Sequence, residues 1–215
     1  KAFSSLAIAS GALTNLNKLE VQGNQISDAG MLSFSHTIAN GMLENIEHLQ
    51  LSSNRIGDEG VKAFSVAISS TSLGRLRKLW LYNNQIGDDG MTAFSTAMAK
   101  GSLKALYLLS FHRNQIGSKG MKAFAEKVAN GAMKELLMLG LHVNRIGDEG
   151  MNAFSKTIAC GSLPKLVDVN IDQNPGNKIG VNETCRARGI RCTCGIGNLF
   201  YLDHFNLSRD GEGLG

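Results

Sequence analysis

Leu76-Arg77-Lys78-Leu79-Trp80-Leu81-Tyr82-Asn83-Asn84-Gln85-Ile86-Gly87-Asp88-Asp89-Gly90-Met91 is the stretch on which the fold turns. Leu79 and Leu81 alternate with Lys78, Trp80 and Tyr82. That period of two predicts a strand with the leucines inside and the other three outside. Farther on, Met91, Phe94 and Met98 stand at i, i+3 and i+7, one face of a helix. Asp88 lies just before that helix and reads as its N-cap. Gly101 lies just past its end, where a left-handed residue commonly terminates a helix. Strand, turn, helix and return are all written locally.

The stretch then recurs. Asn24, Asn54, Asn84, Asn114, Asn144 and Asn174 lie 30 residues apart without slippage. The same step carries Leu19, Leu49, Leu79, Leu109, Leu139 and Val169, then Val21, Leu51, Leu81, Phe111, Leu141 and Ile171, and also Phe34, Phe64, Phe94, Phe124 and Phe154. Self-similarity of this kind is the mark of a stacked array, in which each unit buries its apolar face on the next. The Asn column has a structural task. A buried amide donates twice and accepts, so it can satisfy backbone groups of its own and of the neighbouring unit where the chain turns off each strand.

Composition agrees. The chain holds 25 glycines but only 2 prolines among 215 residues. That is about 12% glycine against a usual ~7%, without the proline of collagen or of stiff linkers. Most of the glycines fall in three columns of the repeat, before, at the start of and after each helix. The apolar share of 43% with 19% charge suits a packed chain. Its apolar runs are too short for a membrane span.

The pattern Leu-x-x-Leu-x-Leu-x-x-Asn-x-Ile-Gly-Asp-x-Gly, followed by a helix, resembles a leucine-rich repeat. The long unit and its true α-helix are most similar to the ribonuclease-inhibitor-like subclass, which includes ribonuclease inhibitors, repeat regions of intracellular immune receptors and Ran GTPase-activating proteins. The resemblance covers about residues 1–175. It implies an α/β fold, a leucine-rich-repeat solenoid or horseshoe of about six repeats, with a parallel sheet on the concave face and helices on the convex face. It also implies a choice of roles: a protein-binding scaffold, a regulator of a GTPase or nuclease, or the ligand-sensing repeats of a larger receptor.

The ends depart from the repeat. The sequence opens part-way through a unit, since Lys1-Ala2-Phe3-Ser4 matches Lys62-Ala63-Phe64-Ser65. We therefore expect a solenoid over 1–175 that starts mid-repeat, and a C-terminal cap with a docked or frayed tail over 176–215. In the cap, Val181 and Cys185 take the places of Phe154 and Ile158, and Ile190, Cys192 and Cys194 alternate as an edge strand would. Phe200, Tyr201, Leu202 and Phe205 give the tail apolar surface. Cys160, Cys185, Cys192 and Cys194 admit plain thiols, one or two disulfides, or a zinc site with His204. Asn182-Glu183-Thr184 and Asn206-Leu207-Ser208 match the glycosylation acceptor. Localisation stays open, with a lean towards an intracellular compartment.

No catalytic, phosphate-binding, metal or cofactor motif is present in the sequence, so the expectation is a non-enzyme that uses no cofactor or small-molecule substrate. Function should lie in the columns that the fold leaves outside. On the concave floor, Trp80, Tyr82, Leu108 and Met138 form a candidate apolar patch rimmed by His112 and His142. Trp and Tyr are frequent anchors of protein interfaces, so the expected partner is another protein, alone or in a multi-subunit assembly. His112 and His142, on adjacent strands ~5 Å apart, either titrate near neutral pH and tune binding or are two solvated polar residues. Lys100, Lys104, Arg113, Lys119, Lys122, Lys127 and Lys134 face a single acid, Glu126, in the same stretch. They read as a basic patch for an acidic partner surface or as an ordinary solvated face. Nucleic acid is disfavoured, because the patch has no interleaved aromatics.

Overall fold

The computed structural model describes residue 13 and residues 15–71 and 73–193. Among these residues seven short strands alternate with six helices. They are β1 (Lys18–Glu20), α1 (Asp28–Ala39), β2 (His48–Gln50), α2 (Asp58–Ser70), β3 (Lys78–Trp80), α3 (Asp88–Ala99), β4 (Leu108–Ser110), α4 (Ser118–Ala129), β5 (Met138–Gly140), α5 (Asp148–Ala159), β6 (Asp168–Asn170), α6 (Ile179–Ala187) and β7 (Arg191–Thr193). The strands form one open parallel sheet in sequence order. Its register follows the repeat: Lys18 pairs His48, and Lys78, Leu108, Met138, Asp168 and Arg191 follow in line. Strands stack ~4.8 Å apart whereas packed helices need 8–10 Å. The layers therefore bend into a leucine-rich-repeat solenoid, sheet inside and helices outside.

Between the layers lies one continuous core. Leu49, Leu79, Leu109, Leu139 and Val169 are fully buried from the sheet side, as are Phe64, Phe94, Phe124 and Phe154 from the helix side. Phe94 meets Phe111 edge-on, with centroids 5.1 Å apart.

Each joint between units is fastened by two side chains. Asn114 is typical of the first. The backbone N–H of Ile86, one unit back, donates to its Oδ1 at 3.0 Å, and its Nδ2 donates to the carbonyls of Leu81 and Phe111 at 2.9 and 3.0 Å. Asn54, Asn84, Asn144 and Asn174 repeat the arrangement.

The second fastener corrects the capping expectation. Asp88 does not cap its own helix. The N-cap positions of α2 to α5 are Gly57, Gly87, Gly117 and Gly147, with no side-chain cap. Instead, the aspartates that open α1, α2 and α3 cap the following helix. Asp28 Oδ1 accepts from the N–H groups of Gly57 and Gly60 at 2.7 and 2.9 Å. Asp58 serves Gly87 and Gly90, and Asp88 serves Gly117 and Gly120. The carboxylate thus meets the positive end of the neighbouring helix. It also explains the glycines: a Cβ at Gly60 or Gly90 would stand 2.6 Å from that oxygen. Ser118 breaks the series, its hydroxyl reaching only the N–H of Gly147 at 3.0 Å.

A further column became visible only in the backbone. Gly23, Ser53, Asn83, Arg113, Val143 and Gln173, just after each strand, all take positive φ, between 51° and 68°. Residues 176–193 continue the array as a shortened unit. Val181 and Cys185 are buried in the core, and β7 pairs with β6. Arg191 clasps Asp168 across that pair with two hydrogen bonds, one from Nε at 2.7 Å. The expected opening half-unit and the tail with Cys194, Phe200, Tyr201, Leu202, His204 and Phe205 lie outside the described residues, as does the acceptor motif at Asn206.

Candidate functional site: the concave face

Strand side chains that point away from the core meet on the concave side. Those on the central strands are the most buried. Trp80, Tyr82 and Met138 are half-buried, while Leu108, His112 and His142 are only 2%, 2% and 4% exposed. The expectation of an exposed apolar patch with a solvated histidine rim is therefore corrected. Leu108 is buried in the floor, and Lys78, also expected outside, is buried with its ammonium 5.8 Å from the centre of the Tyr107 ring.

The histidines form the middle and end of a stack. Tyr82 lies 4.2 Å from His112 at 11° between planes, and His112 lies 4.1 Å from His142 at 12°. Ser110 Oγ hydrogen-bonds His112 Nδ1 at 2.7 Å. Beside the stack, Trp80 meets the His48 ring edge-on at 6.3 Å. Burial, with the neighbouring His142 and then Arg113, pushes His112 down to a pKa of about 2. Burial and then Arg113 push His142 down to about 4, against an opposing pull from Asp172. Both rings stay neutral near physiological pH, because a charged imidazole would have to be desolvated here, so of the two readings neither a titration between pH 6 and 7 nor a solvated pair fits. His48 is lowered too, by burial and then Lys78.

Three buried polar atoms belong to the same columns, and two of them, on Gln50 and Ser52, are on residues that the sequence did not single out. Gln50 Oε1, Ser52 Oγ and His142 Nδ1 are buried with no hydrogen-bond partner among the described residues. Such groups are costly to leave unpaired. No residue-type signal marks them; they follow from where the columns lie in the sheet.

The seven basic residues separate. Lys119 pairs with Asp89 at 2.8 Å, Lys122 with Glu149 at 3.0 Å and Lys127 with Glu126 at 2.8 Å, all on the convex helices. Two of these acids come from adjacent units, which a count along the chain cannot show. Arg113 sits apart in the turn after β4, while Lys104 and Lys134 line one groove on the rim, next to Lys100. The patch is therefore not one surface.

The cysteines of the cap also sort out in part. Cys160 is exposed and Cys185 buried, both as free thiols. A hydrogen bond with Cys192 holds the Cys185 thiol below its usual range. Among the described residues no cluster of three or more His, Cys, Asp or Glu side chains could hold a metal ion. Asn182 lies within α6. No helix among the described residues is long and apolar enough to cross a membrane.

Comparison with protein families matches a Leucine Rich repeat model at residues 12–35, 43–65, 76–95 and 109–125. Comparison with curated proteins finds no match. Among solved structures, the chain is similar to an internalin (inlF) from Listeria monocytogenes, with a TM-score of 0.55 and 19% identity over 89% of this chain and 51% of that one. It is also similar to actin-binding site 2 of leiomodin-1, with a TM-score of 0.58 and 16% identity over 85% of this chain and 90% of that one. The chain spans about half the length of the internalin. At these identities the likeness is one of fold.

Proposed function

We propose that this chain, a leucine-rich repeat protein, is a non-enzymatic interaction module or scaffold subunit that grips a partner protein with its concave face. The observation that carries the reading is the half-buried Trp80 beside Tyr82, at the edge of a floor holding the unpartnered Gln50, Ser52 and His142 atoms. Large rigid side chains next to dry polar groups are how interface hot spots are built. Trp80, Tyr82 and Met138 supply apolar area; Leu108, His112 and His142 form the neutral floor beneath. The sequence pattern favours the ribonuclease-inhibitor-like subclass, with residues 176–215 as the C-terminal cap.

The test is affinity purification with identification of the partner, followed by binding measurements on Trp80→Ala and Tyr82→Ala. Each truncation should weaken binding by about 2 kcal/mol or more, a loss of some thirtyfold, with thermal stability little changed. Undiminished affinity in the double variant would sink the concave reading.

A further inference from the structure

On the rim where the chain returns from helix to strand, the loops after α3 and α4 part to form a groove of about 310 Å³. Met98, Leu103 and Met133 give it apolar walls, and Lys104, Lys134 and Glu135 stand along it. It is separate from the concave face.

Three independent features set this groove apart. The first is charge. Lys104, Lys134 and the adjoining Lys100 are exposed, and among the described residues none of them has a carboxylate within ion-pair distance. The one acid of the lining, Glu135, is already held by Lys165 at 2.6 Å. Lys100 caps the C-terminal end of α3, where a cation complements the helix dipole. Lys104 and Lys134 each lie five residues beyond the ends of α3 and α4, past the reach of that effect, so the dipole does not account for them.

The second feature is backbone strain. Met133 has φ +64°, in the left-handed region, whereas its counterparts Leu43, Leu73, Leu103 and Leu163 do not. Unlike the column after each strand, which takes this conformation in every unit, Met133 is alone in its column, so the strain is local to the loop that lines the groove. The third is wall chemistry. Two thioethers, Met98 and Met133, make an adaptable apolar wall, and no aromatic ring lines the groove, so stacked bases find no platform.

We infer that this groove docks an acidic, partly apolar segment of a protein, with carboxylates at Lys104 and Lys134 and an apolar side chain against Met98, Leu103 and Met133. Its cations draw the acidic residues in, and its apolar walls hold the segment once it is seated. The surface would let one chain hold a second protein while the concave face holds the first.

The test uses the full chain, labelled with nitrogen-15, and two synthetic 12-residue peptides, one alternating Glu with Leu and one alternating Lys with Leu. The Glu–Leu peptide should shift the amide signals of residues 98–104 and 130–135 in a saturable way, and the Lys–Leu peptide should not. Lys104→Glu with Lys134→Glu should weaken binding at least about tenfold, with an unchanged melting temperature to show that the fold is intact. Trp80→Ala with Tyr82→Ala should leave these shifts in place, which separates this site from the concave one. Shifts that are absent, that map to the concave strands or that survive the double charge reversal would overturn the assignment. So would equal or tighter binding of a single-stranded oligonucleotide or of anionic vesicles at the same amides.

Discussion

The imidazole of His112 lies 4.1 Å from that of His142 and 12° from parallel, with Tyr82 stacked against its other face. Both rings are buried, and both have folded-state pKa values far below the ordinary 6.5, at about 2 and about 4. The sign follows directly. As pH falls below 6.5 the unfolded chain takes up protons that the folded chain refuses. The stabilisation is complete above that pH and is lost on the way down through 4 towards 2. For His112 the loss approaches ~1.4 kcal/mol per pH unit. Urea unfolding from pH 7 to 5 should show stability falling with pH, and His112→Gln should reduce that slope by about half, His142 supplying the rest. An unchanged slope would remove His112 from the account. Partner affinity, by contrast, should be flat between about pH 5.5 and 7.5, since both rings stay neutral there.

The aspartate fasteners make a second prediction. Asp58→Ala leaves the N–H groups of Gly87 and Gly90 without their acceptor and should cost about 1–2 kcal/mol, seen as a lower melting temperature. Ser118→Asp restores the missing carboxylate at the one joint that lacks it, where Gly147 alone is served. It should raise stability by about 0.5–1 kcal/mol. A fall in melting temperature with Ser118→Asp would show that the joint is set by something other than capping.

Val143 supplies a third. It holds φ +54°, a conformation that a β-branched side chain tolerates poorly, at a column filled elsewhere by Gly23, Ser53 and Asn83. Val143→Asn should stabilise the fold by about 1 kcal/mol. Unfolding in denaturant measures this as a higher midpoint with an unchanged slope.

Much of this was legible before the structure. The leucine, phenylalanine and asparagine columns carry the solenoid, because each marks a position whose partners recur at fixed spacing. What the sequence alone misplaced depended on distances across units. Asp88 precedes a helix and looks like its cap, yet its carboxylate reaches α4. Lys119 and Lys122 looked like surplus charge, yet Asp89 and Glu149 come from the helices on either side. His112, His142 and Leu108 alternate outward as strand residues should, but alternation gives direction and not depth. Their depth is set by contacts across units, which a pattern along one strand does not encode.

The joints have one more consequence. The Asn of each unit reaches back to the unit before it, and the Asp reaches forward to the unit after it, so the two fastenings of a joint are supplied from opposite sides. A deletion of one full period can then begin at any residue of the repeat and still bring matching halves together. Where Asn and Asp both stand at the new seam, the ends rejoin with the same donors and acceptors they had before. The length of such a chain is free to change in whole units, and its seams record no memory of where the cut was made.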